Sequence, residues 1–348
     1  MAAITTGVYH RSYESELRLR HTTAARLRLA LAIVVLVAIP FVASPFWLSV
    51  LDRIGIAVIG AIGLNILTGY TGQISLGQGG FLAVGAYTSG LLVARFGMPT
   101  LLAVVAAVLF TAVVGAFFGL PALRLKGLYL AIATLASQFI IIWVVRNWDA
   151  VTGGTASLVV PAPELFGFQL SSNFRWYWVI LAAAGLATAA ARNLFRTGIG
   201  RAFMAIRDQD IAAEAIGVDL TRYKVLSFAV SSGFVGLAGA LTAHWRLIVT
   251  WERFTLDVSI LYLAMIIVGG LGSIIGSIYG AAFMVAVPAA IDRVGETLQG
   301  SFVDRELPAI QLGVFGLVIV LFLIFEPRGL ARIWQRMKDY FRLWPFRY

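Results

Sequence analysis

The sequence predicts an all-α, polytopic transmembrane helical bundle of about ten spans, and three observations support this fold class. Of the 348 residues, 60% are hydrophobic and 13% are charged, and the mean hydropathy is +0.88. Soluble domains carry about 25% charged residues, so this chain has too little polar surface to cover a water-facing globule. Apolar runs of near-membrane length cover most of the chain, and Lys and Arg fall in blocks between them.

The apolar runs define ten candidate spans, because a bilayer core of about 30 Å needs roughly 20 apolar residues per helix. The predicted spans are 29–50, 53–69, 80–95, 100–120, 127–145, 177–191, 225–249, 258–272, 274–291 and 309–326. The chain then divides into an N-terminal segment 1–28, a transmembrane permease domain 29–326 and a basic tail 327–348.

The basic residues predict the orientation of the chain. Most of the 27 Lys and Arg residues fall on one side when the spans alternate from a cytoplasmic N-terminus, as the positive-inside rule requires. Both termini and the charged loop 192–224 are then cytoplasmic, and the aromatic-rich loop 146–176 is outside. The net charge of +10 has this explanation, so we expect no nucleic-acid binding. Spans two to five and seven to ten would start from opposite sides, which predicts an inverted repeat.

A glycine-rich segment between the second and third spans is the main candidate for a polar path through the membrane. Its glycines are Gly69, Gly72, Gly77, Gly79 and Gly80. Each glycine weakens a helix by about 1 kcal/mol relative to alanine, and freed backbone at membrane depth must line protein or a water-filled cavity. We therefore interpret the segment as broken or re-entrant, with polar side chains that contact a small solute. These side chains are Tyr70, Thr71, Gln73, Ser75 and Gln78.

The alternative for this segment is that its glycines only let helices pack closely. Asn65, an amide in the apolar second span, has two interpretations as well: contact with the solute, or a hydrogen bond to a neighbouring helix. Gly272, Gly276 and Gly280 recur at one-turn spacing, which is typical of closely packed helices.

The cytoplasmic loop is predicted to contain a short surface helix. Asp208 or Asp210 is a suitable N-terminal cap for an alanine-rich stretch, and Gly217 is a suitable end. A solvated loop without a helix is the alternative.

Several kinds of chemistry are excluded by residues that the sequence lacks. There is no Cys, and the three His are scattered, so we expect no metal site. No G-x-x-x-x-G-K-[ST] motif is present, so this chain does not bind ATP in that manner. No span holds a pair of embedded carboxylates of the kind that relays protons. We expect no catalytic residue and no cofactor in this chain.

A set of short motifs runs through most of the chain. Residues 69–87 read GYTGQISLGQGGFLAVGAY, and further motifs lie at 127–135, 152–154, 200–202, 205–208, 212–217 and 269–276. Together they cover roughly residues 50–330, and in this combination the chain resembles the permeases of branched-chain amino-acid ABC importers, of the LivM type.

The resemblance implies a pore-forming, multi-pass permease in a bacterial inner (plasma) membrane. It implies pairing with a second, homologous permease as a heterodimer, two cytoplasmic ATPase subunits that bind ATP and Mg²⁺, and a soluble substrate-binding protein on the outer face. The cytoplasmic loop would be the segment that couples to an ATPase. Its coupling residues would be Arg207, Asp208, Asp210, Ala212, Glu214 and Gly217.

The implied cargo is leucine, isoleucine and valine. The alternatives in the same class are urea, short amides and aromatic acids, because selectivity rests largely with the binding protein. A secondary transporter or channel that works alone is a second alternative, and the missing embedded carboxylates weigh against it. A membrane enzyme is the third.

Overall fold

The computed structural model describes residues 23–165, 168–170, 172–297 and 329–343, with short helical pieces between 313 and 325. These residues are mainly helical, which confirms the predicted fold class. Among them, seven helices are long and apolar enough to cross a membrane. They are Pro45–Thr71, Gln78–Phe96, Thr100–Leu123, Leu128–Asn147, Asn173–Leu194, Leu220–Arg246 and Ile274–Arg293.

The elements are labelled here in chain order. The helices are α1 (Thr23–Val42), α2 (Pro45–Thr71), α3 (Gln78–Phe96), α4 (Thr100–Gly119), α5 (Leu128–Asn147), α6 (Asp149–Thr152), α7 (Asn173–Leu194), α8 (Gly198–Asp208), α9 (Asp210–Ala215), α10 (Leu220–Arg246), α11 (Leu256–Gly269), α12 (Ile274–Thr297) and α13 (Leu330–Leu343). Single 3-10 turns lie at Leu120–Leu123 and Trp251–Arg253. The strands β1 (Leu158–Val159) and β4 (Ile248–Val249) pair antiparallel, as do β2 (Glu164–Leu165) and β3 (Phe168–Gln169).

The helices run between two ends of the bundle. One end, called the loop end, carries residues 148–165, 168–170 and 247–255, and the β1–β4 pair joins the first and the last of these ranges. The opposite end, called the basic end, carries residues 195–219, and Arg207 there approaches both Gly72 and Gly272. The helix α13 also begins at the basic end, where Gly329 lies against the backbone of Gly270.

The boundary between the first two helices differs from the predicted one. The sequence placed these spans at 29–50 and 53–69, but α2 already begins at Pro45. Proline is favoured in the first turn of a helix because its missing N–H would have no intrahelical partner there. Residues 45–50 therefore extend α2 instead of ending α1.

Two other predicted spans differ from full crossings. The span 258–272 is the 14-residue helix α11, which at 1.5 Å per residue is about 21 Å long and too short for a straight crossing. The span 309–326 lies largely outside the described residues. The count of ten spans stays a prediction.

The core of the bundle is built around α2, with α10 and α3 against it. Large aliphatic side chains of α2, such as Ile59, Ile62 and Leu64, are fully buried. Small residues let the backbones approach: a Cβ on Gly63 would lie 2.9 Å from the carbonyl oxygen of Ser231 in α10. Close backbone contact of this kind is how membrane helices gain packing energy.

The peripheral helices α4 and α5 present large apolar side chains outward. They include Leu109, Val113 and Phe117 on α4, and Phe139 and Trp143 on α5, each more than half exposed. Exposed apolar surface on this scale is suited to lipid or to a membrane-embedded partner rather than to water.

An inverted arrangement relates the two halves of the core. The helices α2 and α10 are each 27 residues long and run in opposite directions. Each is followed by a non-helical link, 72–77 after α2 and 247–255 after α10 apart from a single 3-10 turn. The helices α3 and α11 that follow begin side by side inside the bundle, where the Gly79 amide donates to Ser259 Oγ at 2.8 Å. An inverted repeat would produce this geometry.

The basic tail contains a helix that the sequence analysis did not predict. In α13, Ile333, Trp334, Met337 and Tyr340 recur at helical spacing among basic residues. Trp334 packs edge-to-face on Tyr279 of α12, with ring centroids 6.1 Å apart. These apolar residues follow the i, i+1, i+4, i+7 spacing of an amphipathic helix. The helix was not predicted because the spans were identified from long apolar runs, and the highly charged tail contains none.

Candidate functional site

The link 72–77 runs from the basic end back into the interior of the bundle. At its start, a Cβ on Gly72 would lie 3.2 Å from Arg207 Cγ. Just after its end, Gln78 Nε2 donates to the carbonyl oxygen of Gly60 at 3.0 Å. Gly60 precedes Gly72 by about 18 Å along the axis of α2, a distance that six extended residues at about 3.3 Å each can cover. The link therefore lies alongside α2, and α3 begins partway across the bundle.

The glycine-rich segment had two interpretations, a broken helix and close packing of helices, and each applies to different glycines. Gly72 has φ +72° and ends α2 in the left-handed conformation that glycine adopts without strain. Gly69 lies inside α2 and Gly79 and Gly80 lie inside α3, so these three are not part of the break. Their role is close approach, since a Cβ on Gly79 would lie 2.8 Å from the carbonyl oxygen of Thr255. Gly77 closes the break, next to the backbone of Thr134.

The polar side chains of the link face protein in this conformation. Gln73 Nε2 donates to Ser227 Oγ at 2.8 Å, and its Oε1 is buried without a hydrogen-bond partner. Ser75 Oγ accepts from the Gly77 amide at 3.3 Å. Gln73, Ser75 and Gln78 are each at most 5% exposed, so these three side chains are closed to solvent, whereas Ile74 of the same link is 40% exposed.

Tyr70 and Thr71 lie in the last turn of α2, at the basic end. The Tyr70 ring stacks on Phe195 with centroids 3.6 Å apart. Thr71 Oγ1 donates to the carbonyl oxygen of Ile66 at 2.9 Å. The Tyr70 ring therefore packs the end of α2 against the residues just before α8, whereas Thr71 bonds within its own helix.

Asn65 joins α2 to the turn between α11 and α12. Its Nδ2 donates to the Ser273 carbonyl oxygen at 2.9 Å and to Ser277 Oγ at 2.7 Å, and its Oδ1 accepts from the Gly272 amide at 2.9 Å. Because both ends of the amide are used within the chain, the geometry favours the helix-bonding interpretation of Asn65.

The predicted glycine series is split between a turn and a helix. Gly276 and Gly280 lie in α12, where a Cβ on Gly276 would lie 2.7 Å from the carbonyl oxygen of Gly269 in α11. Gly272 is not in this helix, which corrects its place in the series. It lies in the preceding turn with φ +70°, because the chain must reverse there before α12 begins.

Residues 207–217, the predicted coupling segment, contain the predicted short helix, α9, with a different start. Gln209 precedes α9, and neither Asp208 nor Asp210 caps it through a side-chain hydrogen bond. Asp208 ends α8 and pairs with Arg207 at 2.8 Å, whereas Asp210 opens α9. Gly217 (φ +92°) follows the end of α9 as predicted.

Asp210 ties α9 to two other parts of the basic end. Its carboxylate lies 2.5 Å from Lys126 Nζ and 3.6 Å from Lys224 Nζ. The hydrogen bond from Lys126 holds the pKa of Asp210 below its usual value. The lowered pKa means that the ion pairs stabilise the fold at neutral pH and are lost only as the pH falls through that lowered pKa.

Replacing Asp210 with asparagine is expected to loosen α9, because both lysines lose their ionic partner. Such partly exposed pairs contribute about 0.2–1 kcal/mol, so amide hydrogen exchange in residues 210–217 should accelerate by up to roughly fivefold at pH 7. Glu214→Gln is the matched control, because Glu214 is exposed and makes no ion pair within the described residues. Equal exchange in both variants would show that the lysines do not hold α9.

Arg207 connects the coupling segment directly to the link. Its Nη1 donates to the carbonyl oxygen of Gly69 at 3.4 Å, and its side chain lies against Gly72, where the link begins. A displacement of α8 would therefore act on the end of α2 without an intermediate element.

Several side chains that hold the link were not predicted from the sequence. Thr134 in α5 accepts from the Leu76 amide at 2.9 Å. Gln138 in α5 accepts from Ser259 Oγ at 2.6 Å, next to the start of α3. Single polar residues in apolar spans follow no spacing pattern, so only the folded neighbours reveal this role.

Comparison with known proteins places this chain among transport permeases. Residues 46–323 match the family model "Branched-chain amino acid transport system / permease component". The chain is 33% identical to the high-affinity branched-chain amino acid transport system permease protein LivM of Salmonella typhimurium, with 89% of this chain and 75% of that protein covered. It is 25% identical to a probable LivM permease of Methanocaldococcus jannaschii, with coverage of 79% and 90%.

A relative from a different import system is also similar. The chain is 27% identical to the autoinducer 2 import system permease protein LsrC of Escherichia coli, with 88% of this chain and 89% of that protein covered. No solved structure matches this chain.

Proposed function

Because this chain belongs to the family of permease components of branched-chain amino acid transport systems, we propose that it forms part of the pore of an ATP-driven importer for leucine, isoleucine and valine. The contact of Arg207 with the last turn of α2 carries the proposal. This contact connects α8, on which a cytoplasmic ATPase would act, to the link 72–77, which would line the solute path.

The proposed partners follow from what this chain lacks and exposes. It has no phosphate-binding loop for ATP, so ATP and Mg²⁺ would be bound by two cytoplasmic ATPase subunits. The coupling segment supports such docking, since Ile211 and Ile216 are 70% and 79% exposed beside Ala212 and Glu214. A second, homologous permease would complete the pore, and a soluble binding protein would deliver the solute.

The orientation is proposed from the distribution of charge. The basic end carries the Lys- and Arg-rich segments, which the positive-inside rule assigns to the cytoplasm. Both terminal segments then lie in the cytoplasm, and the loop end faces outward from a bacterial inner membrane.

The mechanism would use the link as the moving part. ATP-driven closure of the ATPases would shift α8 and α9, and Arg207 would transmit this shift to the end of α2. The buried amides of Gln73 and Gln78, with Ser75, would then become accessible to the solute. The unpartnered Oε1 of Gln73 supports this role, because a buried acceptor without a donor costs about 1–3 kcal/mol and a solute donor would relieve that cost.

Uptake of labelled leucine, isoleucine and valine tests the proposed function. A strain that lacks this chain should lose most of its high-affinity uptake, and restoring the chain should return it. Unchanged uptake of all three amino acids would contradict the cargo. Uptake of urea, short amides or aromatic acids, measured in the same strains, would then identify the cargo within the same class. Transport by the purified chain alone would instead favour a stand-alone transporter.

A further inference from the structure

A cavity of about 400 Å³ opens at the loop end, between α2, α10 and α11. Charged side chains lie on its rim. Arg246 and Arg253 are exposed, Arg53 is partly exposed, and Glu252 is exposed next to them. The first three come from three different elements: α2, α10 and the 3-10 turn before α11.

The rim has an excess of positive charge. Within the described residues, neither Arg53, Arg246 nor Arg253 forms an ion pair, and Glu252 is the one carboxylate that lines the cavity. Three guanidinium groups that line one cavity without ionic partners repel one another, although Arg246 also lies 5.2 Å from the centre of the Trp245 ring. An anion bound between them would remove this repulsion.

The interior of the cavity is apolar. Ile56, Leu82, Tyr262 and Met265 line it and are buried at 7% exposure or less. An apolar chamber behind a cationic rim is suited to a small molecule with a carboxylate at one end and an aliphatic group at the other.

The cavity leads toward the start of α3. Tyr262 packs on Gly60, where a Cβ would lie 2.6 Å from its ring. The carbonyl oxygen of the same Gly60 accepts from Gln78 Nε2 at 3.0 Å. The inner wall of the cavity thus adjoins the residue with which α3 begins, at the end of the link 72–77.

We propose that this cavity is the outward-facing solute site, in which Arg246 and Arg253, together with Arg53, bind the carboxylate of an aliphatic amino acid. Arginine is suited to this task because its planar guanidinium donates two parallel hydrogen bonds to a carboxylate. Glu252 accepts from the α-ammonium group, and the aliphatic side chain enters the apolar interior. The identity of the solute as an amino acid rests on the proposed function, whereas the carboxylate chemistry rests on the rim itself.

Ligand binding to the full-length chain in lipid nanodiscs tests the site without other subunits. Trp245 lines the cavity, and the Arg246 guanidinium lies 5.2 Å from the centre of its ring. Tryptophan fluorescence should therefore change saturably with L-leucine, and Trp245→Phe should remove most of that change. L-leucinamide, which lacks the carboxylate, should bind at least tenfold more weakly, and Arg246→Gln should weaken leucine binding by a similar factor.

Arg95→Gln is the matched control. Arg95 is exposed at the loop end but lies outside the cavity, where its Nη1 donates to the carbonyl oxygen of Ala150. This variant should bind leucine as the original chain does. Equal binding of leucine and leucinamide, or no saturable response to leucine, would overturn the proposal.

Two other occupants of the rim give different results. If the rim instead binds anionic lipid headgroups, leucine will give no saturable response in nanodiscs of phosphatidylcholine alone, whereas adding phosphatidylglycerol to those nanodiscs will change the Trp245 fluorescence. If acidic residues of a soluble partner dock there, Arg246→Gln will weaken capture of that partner and leave leucine binding unchanged. Either result would overturn the solute site. Leucine uptake by cells is measured separately from leucine binding in nanodiscs. If the cargo is wrong but the rim does bind carboxylates, uptake will not depend on this chain while leucine will still bind in nanodiscs.

Discussion

Replacing Gly280 with alanine is expected to destabilise the folded chain by about 3 kcal/mol, the upper part of the usual range for overpacking. The added Cβ would overlap the carbonyl oxygen of Met265 and lie 2.9 Å from the backbone of Gly269. Both contacts are with backbone atoms of α11, which cannot rotate away as a side chain can. The helices α11 and α12 would have to separate, and with them the turn that Asn65 holds against α2.

The measurement is the thermal unfolding midpoint of the purified chain, followed by size-exclusion chromatography. Gly185→Ala is the matched control, because Gly185 lies inside α7 and a Cβ there would meet nothing within 4 Å. Alanine stabilises a helix by up to about 1 kcal/mol relative to glycine, so the control should be as stable as the original chain or slightly more. If Gly280→Ala unfolds at the same midpoint as the control, the close approach of α11 and α12 is not what stabilises this region.

Replacing Ile211 with glutamate is expected to release this chain from its ATPase partner, if the proposed assembly is correct. Ile211 at the start of α9 and Ile216 just after its end are 70% and 79% exposed, and exposed apolar residues grouped in this way are typical of an interaction surface. A charge placed in the centre of an interface leaves an unpaired group out of water. Central interface residues contribute about 2–4 kcal/mol, which corresponds to a loss of affinity of roughly 30- to 700-fold.

Co-purification of the ATPase subunits with the tagged chain measures this loss, and ATP-driven uptake should fall with it. Ile211→Leu keeps the apolar surface and should keep the partner. Asp208→Lys is informative in a different way, because Asp208 pairs with Arg207, which contacts α2. This variant should keep the ATPase bound and hydrolysing ATP while transport falls. Normal co-purification of Ile211→Glu would exclude α9 from the interface.

The glycine-rich segment shows how far a pattern predicts geometry. Five glycines at membrane depth predicted an interrupted helix near residues 69–80, and the interruption is there, at 72–77. The sequence did not reveal which glycines form the break. A glycine can either adopt the positive φ at which a helix ends or allow another backbone to approach closely, and the sequence looks the same in both cases. Neighbours distant in the chain decide between the two: Arg207 lies at Gly72, and Thr255 lies at Gly79.

The cationic rim was not predictable for a related reason. Arg53 is about 200 residues away from Arg246 and Arg253 in the chain. In the sequence, Arg53 begins one predicted span, Arg246 lies near the end of another, and Arg253 follows that span. Isolated arginines next to apolar spans are ordinary membrane-interface residues. They become a candidate anion site only when α2, α10 and the turn before α11 bring them to one cavity.

The sequence by itself determined the membrane class, the helical fold, the approximate positions of most spans and the family. These properties depend on the solvation of short stretches of chain and on local motifs, and both are present in the order of residues. Only the tertiary structure decided that the link 72–77 runs back beside α2, that Asn65 holds a turn, and that Arg207 joins α8 to that link. Each of these depends on which distant segments meet, and contacts between distant segments are fixed by packing of the whole bundle rather than by any local stretch.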